Sequence, residues 1–346
     1  MEINPDLSSL TFEQIQDALI RLGEQPFRGR QIFSWLHKKN VVTWAEMTDL
    51  SKDLRARLDE EFPLTPPEIT GEQTAGDGTV KFRYRLSDGE EVEGVFMPEE
   101  RRSTLCISTQ VGCGMGCKFC ATATMGLKRN LTAGEIAGQL EAAKRKLDVP
   151  ITNVVFMGMG EPLANLESVL AAVDILLHSH GHHMSRRHVT VSTAGLVPAM
   201  EEFVHNSPAR LAVSLNATTN KIRDQLMPIN KKYPIESLLE CCRNLPLQHT
   251  DRVTFEYVML KGINDSEEDA HRLIRLLRGI RCKVNLIPFN PFDPLPYERP
   301  DDETVYTFQE TLAAANITVM TRKSRGQDLK GACGQLVIET VETGTG

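Results

Sequence analysis

The sequence contains no apolar run approaching the roughly 18–20 residues that a membrane-spanning helix needs. No membrane association is therefore expected. It also lacks the look of an exported protein at its start. "MEINPDLSSL" is acidic and polar, unlike a basic and apolar signal peptide or an Arg-rich transit peptide. The expected location is the cytoplasm. In a reducing compartment, eight cysteines read as metal ligands, catalytic thiols or buried small apolar groups before they read as disulfides. A basic excess is missing too: the net charge is −7, which counts against a broad phosphate-binding surface. Basic clusters at 28–31, 37–39, 144–146, 185–188, 230–232 and 321–326 remain, each reading singly as a solvated face. There is no internal repeat, and no low-complexity tract beyond the polar end "VETGTG". The 346 residues suffice for one large α/β domain and a small accessory domain.

Residues 1–75 read as a helical accessory domain. "TFEQIQDALIRLG" opens on Thr11, with Glu13 and Gln14 in the first turn and Ile15, Ala18, Leu19 and Leu22 at helical spacing. "RGRQIFSWLHKK" and "LSKDLRARLDEEF" give two further amphipathic segments. "PLTPPEITGEQTAGDG" (63–78), rich in Pro, Gly and Thr, reads as a linker. The period then changes to two around Asp88-Gly89, which predicts a β-hairpin, so 76–98 is assigned to linker and hairpin. From 99 to 326 strands and helices alternate. The strands are "TLCIST", "TNVVFMG", "HVTVST", "RLAVSL", "VTFEYVML", "KVNLIPF" and "ITVMT", with helices near 132–147, 163–178, 196–205, 234–245, 265–278 and 302–315. Such alternation predicts an α/β fold of parallel strands, a full or partial (β/α)6-type barrel whose chemistry sits on the loops after the strands. Residues 327–346 form a tail.

"CISTQVGCGMGCKFCATATMG" carries four cysteines between a predicted strand and a predicted helix. Cys113, Cys117 and Cys120 are spaced C-x3-C-x2-C, and Cys106 stands apart. Three close thiolates can hold three irons of a [4Fe–4S] cluster and leave the fourth iron open to a substrate. Structural zinc with Cys106 as fourth ligand is the alternative, although the distant second ligand pair usual for zinc is absent. Gly112, Gly114 and Gly116 let the backbone wrap closely. "GMGEP" (158–162), "VSTAG" (191–195), "SLN" (214–216) and "NPF" (290–292) end predicted strands with short polar residues suited to hydrogen bonding. Cys333, in "GACGQL", is flanked by glycines and by basic residues expected to favour its thiolate. Cys241, Cys242 and Cys282 fit packing roles. "HSHGHHMSRRH" (178–188) reads as a helix end and solvated loop, with no carboxylate partner nearby to make it a metal site.

The C-x3-C-x2-C motif, with Phe119 before its last cysteine, resembles the signature of the radical S-adenosylmethionine (radical SAM) superfamily. Together with "INKKY", "RKSRG" and "ACGQL", it resembles the RlmN-type dual-specificity adenine-C2 RNA methyltransferases across essentially the whole chain. The Cfr-type adenine-C8 enzymes use the same machinery. A zinc-stapled RNA-binding module without catalysis remains the alternative of a different class.

The RlmN resemblance implies 23S rRNA and tRNA as substrates, a [4Fe–4S] cluster on Cys113, Cys117 and Cys120, and two S-adenosylmethionine molecules per turnover. It places Gly160, Glu161, Ser192, Ser214, Leu215, Asn216 and Asn290 at the cofactor, although "SLN" stands where "SLH" is more usual. It makes Cys333 the carrier of the methyl group and Cys106 the thiol that resolves it through a Cys106–Cys333 disulfide. It makes Glu93, in "EEVEGVFMPEE", the base that removes the adenine C2 proton. It implies an electron donor such as flavodoxin and a monomeric enzyme. The helical domain and the clusters at 28–39, 185–188 and 321–326, including Arg322 and Arg325, are the expected RNA surface.

Overall fold

The structure, a computed structural model, describes residues 6–338 apart from 294, 323 and 324. The first five residues of the helical region, Lys323 and Ser324 of the last basic cluster, and 339–346 of the tail lie outside the described residues.

Three helices form the N-terminal unit: α1 (Phe12–Arg21), α2 (Phe27–His37) and α3 (Lys52–Glu61). Thr11 starts α1 as a capping box. Its hydroxyl accepts from the Gln14 amide, and the Gln14 side chain accepts from the Thr11 amide. Ile15, Leu19, Ile32 and Phe33 are fully buried, and they join the barrel residues in one continuous core. Burial of each such side chain stabilises the assembly by roughly 2 kcal/mol.

The main sheet has ten strands. It starts with β1 (Glu68–Thr74), β2 (Val80–Arg85), β3 (Glu91–Pro98) and β4 (Ser103–Ile107), paired antiparallel in that order. The cysteine loop lies between the short strands β5 (Gln110–Gly112) and β6 (Leu127–Asn130), which pair as a separate hairpin. Beyond α4 (Ala133–Lys146) come β7 (Asn153–Phe156), α5 (Leu166–Leu177), β8 (Val189–Thr193), α6 (Val197–Asn206) and β9 (Arg210–Ser214). Next are α7 (Asn220–Leu226), α8 (Ile235–Asn244), β10 (Val253–Met259), α9 (Glu267–Leu277), β11 (Cys282–Pro288), α10 (Asp302–Ala314) and β12 (Val319–Thr321). β4, β7, β8, β9, β10, β11 and β12 pair in parallel in that order. β1 and β12 are the sheet's two edges, so the barrel stays open. Parallel pairing aligns the C-terminal strand ends on one rim, and the loops that follow them converge there.

The expected hairpin is β2–β3, turning at Asp88-Gly89. The segment read as a linker contains β1. Its residues are mostly polar and exposed, with Ile69 alone apolar, so no alternation announced the strand; pairing with β2 forms it, and Ile69 and a Lys146–Glu72 ion pair add contacts to the rest of the fold. α7 was also not foreseen, and a β-hairpin rather than a simple strand-to-helix loop frames the cysteines.

The histidine stretch corrects its sequence reading. It does follow a helix end, His178 being the C-cap of α5. However, His178 stacks on Phe12 with ring centroids 4.6 Å apart, and the His182 side chain is 1% exposed beside the Glu141 carboxylate. A carboxylate partner from α4 is therefore close in space though distant in sequence.

Candidate active site

The rim of strand ends surrounds a cavity lined by Cys113, Cys117 and Cys120 on one side and by Cys106 and Cys333 on another. Gly112 explains how the cysteine loop starts. Its φ is +76°, and a Cβ there would lie 1.8 Å from the Gly126 carbonyl oxygen, so only glycine lets β5 approach β6 this closely. Burial pushes the Cys113 thiol up to about 11 and raises Cys117 further, with neighbouring cysteines adding repulsion. As thiols these groups are neutral and stable. As thiolates they need a cationic centre among them, which fits the donor set of an iron–sulfur cluster. The buried Arg223 guanidinium is the cation acting on Cys117.

Cys106 lies on β4, and its thiol is pushed up to about 12, chiefly by burial. Cys333 reaches the same cavity because the tail is tied to the cysteine loop. The Ala121 amide donates to the Gly334 carbonyl at 2.7 Å, and the Thr122 hydroxyl donates to the Leu336 carbonyl at 2.7 Å. Gln335 Nε2 donates to the Pro291 carbonyl at 2.8 Å. Cys333 is solvent-accessible through the cavity yet walled by protein. That enclosure pushes its thiol up to about 12, with the charges of Glu256 and Cys106 adding to it and Arg322 opposing. The expectation that basic neighbours would favour the Cys333 thiolate is corrected: enclosure and Glu256 outweigh Arg322.

Glu256, on β10, went unnoticed in the sequence. It is 5% exposed; Oε2 accepts from the Ser192 hydroxyl at 3.3 Å, and Oε1 has no hydrogen-bond partner. Arg322 Nη2 stands 4.0 Å from Oε1. Arg322 and Arg325, expected on an RNA-facing surface, line this cavity.

Gly160 and Glu161 follow β7. Gly160 has φ +101°, and a Cβ would meet Gln110 at 2.6 Å. Glu161 is buried, which raises its carboxyl above the usual range; it accepts from the Ala194 amide at 2.7 Å and the Leu163 amide at 3.0 Å. Ser192, Ser214 and Asn290 line the cavity, and Asn290 Nδ2 donates to the Cys333 carbonyl at 3.4 Å. Leu215 is fully buried and lies off the cavity wall. Asn216 adopts φ +56°, a left-handed conformation that asparagine tolerates. Its Oδ1 accepts from the Val258 amide at 2.8 Å, and its Nδ2 faces Met227 Sδ at 3.3 Å. Asn216 therefore bridges two strand ends while lining the cavity. Behind it, Arg223 donates to the carbonyls of Leu215, Ala194 and Ser214 at 3.0, 2.8 and 3.1 Å. Sequence reading missed this clamp, because a helical arginine carries no sign of burial.

Glu93, on β3, lies beside the cavity rather than on its wall. Its Oε1 pairs with Lys81 Nζ at 3.1 Å, and its Oε2 accepts from the Val337 amide at 3.1 Å, four residues past Cys333. Burial raises its carboxyl above the usual range, against the opposing pull of Lys81.

The chain matches two sequence families in separate stretches: the Radical SAM superfamily over residues 107–274, and the Ribosomal RNA large subunit methyltransferase N-terminal domain over residues 5–64. It is 52% identical to "Dual-specificity RNA methyltransferase RlmN" of Anaeromyxobacter sp. (strain Fw109-5), over 98% of this chain and 92% of the relative. The chain belongs to the RlmN family of radical SAM methyltransferases. The RlmN protein of Geobacter sulfurreducens (strain ATCC 51573 / DSM 12127 / PCA) is 48% identical over 97% of this chain and 93% of its own length. A solved radical SAM methyltransferase from Sphaerobacter thermophilus is 44% identical and superposes with a TM-score of 0.91, over 96% of this chain and 99% of that one. For an RlmN-family chain, superfamily membership implies a [4Fe–4S] cluster and S-adenosylmethionine. Among the described residues, no helix is long and apolar enough to cross a membrane.

Proposed function

We propose that this enzyme methylates carbon 2 of adenine in 23S rRNA and in tRNA, carrying the new carbon on Cys333 and releasing it with the help of Cys106. The observation that supports this reading most is the meeting of Cys106, Cys333 and the three-cysteine loop in one cavity, although the tail and β4 are far apart in sequence. The similar RlmN proteins are dual-specificity RNA methyltransferases, which supports action on two kinds of RNA.

Cys113, Cys117 and Cys120 would hold the cluster, and Gly160, Glu161, Ser192, Ser214, Asn216 and Asn290 would border the bound S-adenosylmethionine. When bound, these two groups supply the methyl group and the radical chemistry that activates it. Cys333 first accepts a methyl group on sulfur, which requires loss of its thiol proton. Its thiol is held up near 12, so a nearby base is needed, and Glu256, whose Oε1 accepts no hydrogen bond, lies in the same cavity. Once the carbon bridges Cys333 and the base, Glu93 takes the C2 proton. Burial raises its carboxyl above the usual range, which makes it a stronger base than an exposed carboxylate. Cys106, as thiolate, then attacks the Cys333 sulfur; the sulfur–carbon bond breaks with its electron pair going to the bridging carbon, which takes up a proton to become the methyl group. The methylated base leaves, and a disulfide remains for an external reductant such as flavodoxin to reopen. Two S-adenosylmethionine molecules serve each turnover, one for each half of this sequence. The enzyme acts as a cytoplasmic monomer.

The test is to incubate the reconstituted enzyme with reductant, S-adenosylmethionine and each RNA, and to identify the modified nucleoside by mass spectrometry. 2-Methyladenosine in both RNAs is expected. 8-Methyladenosine, or methylation surviving in Cys333→Ala, would overturn the reading.

A further inference from the structure

Far from the cysteine loop in the fold, three ligand-type side chains from three elements meet where the N-terminal unit docks on the barrel. His37 closes α2, Glu141 lies on α4, and His182 lies in the loop after α5. Their side chains are 0%, 7% and 1% exposed. His37 Nδ1 is 2.7 Å from Glu141 Oε1, and His182 Nε2 is 3.3 Å from the same oxygen. One ligand atom from each residue lies within 4.8 Å of the others.

We propose that His37, Glu141 and His182 form a structural site for a divalent transition-metal ion, zinc by its chemistry, that pins the N-terminal unit to the barrel. Two imidazoles and a carboxylate are a donor set that zinc takes readily, and a fourth position would fall to water. In a tetrahedral zinc site with bonds of about 2.0 Å, ligand atoms stand roughly 3.3 Å apart. The His182 contact to Glu141 stands at that value, and the His37 contact, at 2.7 Å, is shorter.

A second observation is independent of the spacing. His182 Nε2 is buried and forms no aligned hydrogen bond despite its 3.3 Å approach to the carboxylate. A hydrogen-bonded trio held only by protons would align that nitrogen on its acceptor. The other ring nitrogen, Nδ1, lies 3.0 Å from Lys144 Nζ, which fixes the ring in this orientation. Lys144 is the competing cation.

The experiment uses the anaerobically purified full chain with its iron content measured alongside, so that metal misplaced on the cysteines is recognised. The protein is dialysed against a weak chelator, given one equivalent of zinc and gel-filtered. Zinc content and the X-ray absorption fine structure at the zinc edge are then recorded. One retained zinc with only nitrogen and oxygen neighbours near 2.0 Å is expected, with retention falling at least tenfold in His182→Ala and Glu141→Gln. Sulfur neighbours near 2.3 Å would place the ion on the cysteines and overturn the proposal. So would no retained zinc, or equal retention in both variants. The absorption measurement on the unaltered chain decides the matter even if a variant fails to fold.

Discussion

The rim cavity and the histidine seam are both enclosed polar clusters, but they are organised oppositely. In the cavity, Glu256 keeps an oxygen without a hydrogen bond, the Cys106 and Cys333 thiols are held up near 12, and the groups face an open space. In the seam, Glu141 touches two histidines and the groups face one another, although the Nε2 atoms of His37 and His182 form no aligned hydrogen bond. Underpartnered groups are costly in a folded chain unless a ligand completes them. The contrast separates a site built for incoming chemistry from one built to hold two units together. Substitutions in the cavity should therefore change turnover with little effect on stability, and substitutions in the seam should do the reverse.

The largest effect is expected for Cys333→Ala. Methyl transfer should fall on the order of 10⁴-fold or more, because a covalent carrier has no substitute, while Tm stays within a degree or two of the unaltered protein. A large Tm loss would erase the contrast. Cys106→Ala should instead leave RNA covalently attached to the protein, visible as a band resistant to denaturing electrophoresis. Free product at the normal rate would remove Cys106 from the scheme.

Next is Glu256→Gln. Methyl transfer should slow by about 10²-fold if its carboxylate takes a proton in the cavity. The same change removes the negative charge that raises the Cys333 thiol, so alkylation of Cys333 at pH 8, followed by peptide mass spectrometry, should become several-fold faster. Slower alkylation would show that the carboxylate does not act on this thiol. In the unaltered protein, Cys333 alkylation should rise about tenfold per pH unit from 7 to 10, since a thiol near 12 gains thiolate over that whole range. A plateau above pH 9 would mean an ordinary thiol.

In the seam, Glu141→Gln removes the charged partner of two buried imidazoles. Loss of one member of a buried charged cluster costs about 3 kcal/mol, read as a Tm lowered by several degrees. Turnover per folded molecule should change less than twofold. If turnover fell with stability intact, the seam would belong to the chemistry and the two regions would no longer be distinct.

The parallel strands were legible because each is a short apolar run between helical periods. The hairpin was legible from Asp88-Gly89. β1 was not, since Glu68–Thr74 buries almost nothing and is a strand only because β2 offers it a ladder. The three-cysteine loop was visible as spacing, because one turn of chain must present all its ligands. Cys106 and Cys333 could be named from their motifs, yet it takes hydrogen bonds between the tail and Ala121, Thr122, Pro291, Asn290 and Glu93 to hold Cys333 at the rim. Glu256 and Arg223 gave no signal, because a charged residue in a strand or helix looks the same whether its head is buried or solvated.

The sequence by itself determined the order of elements, the cluster-type cysteine spacing and the RlmN-family membership, since these are properties of residues close in the chain or of the motifs in succession. Only the tertiary structure decided which charges are enclosed. Enclosure outweighed the expected effect of the basic residues around Cys333 and turned a histidine-rich loop into the partner of Glu141. Both outcomes depend on what surrounds a group in space, and desolvation by distant segments is not written in local sequence.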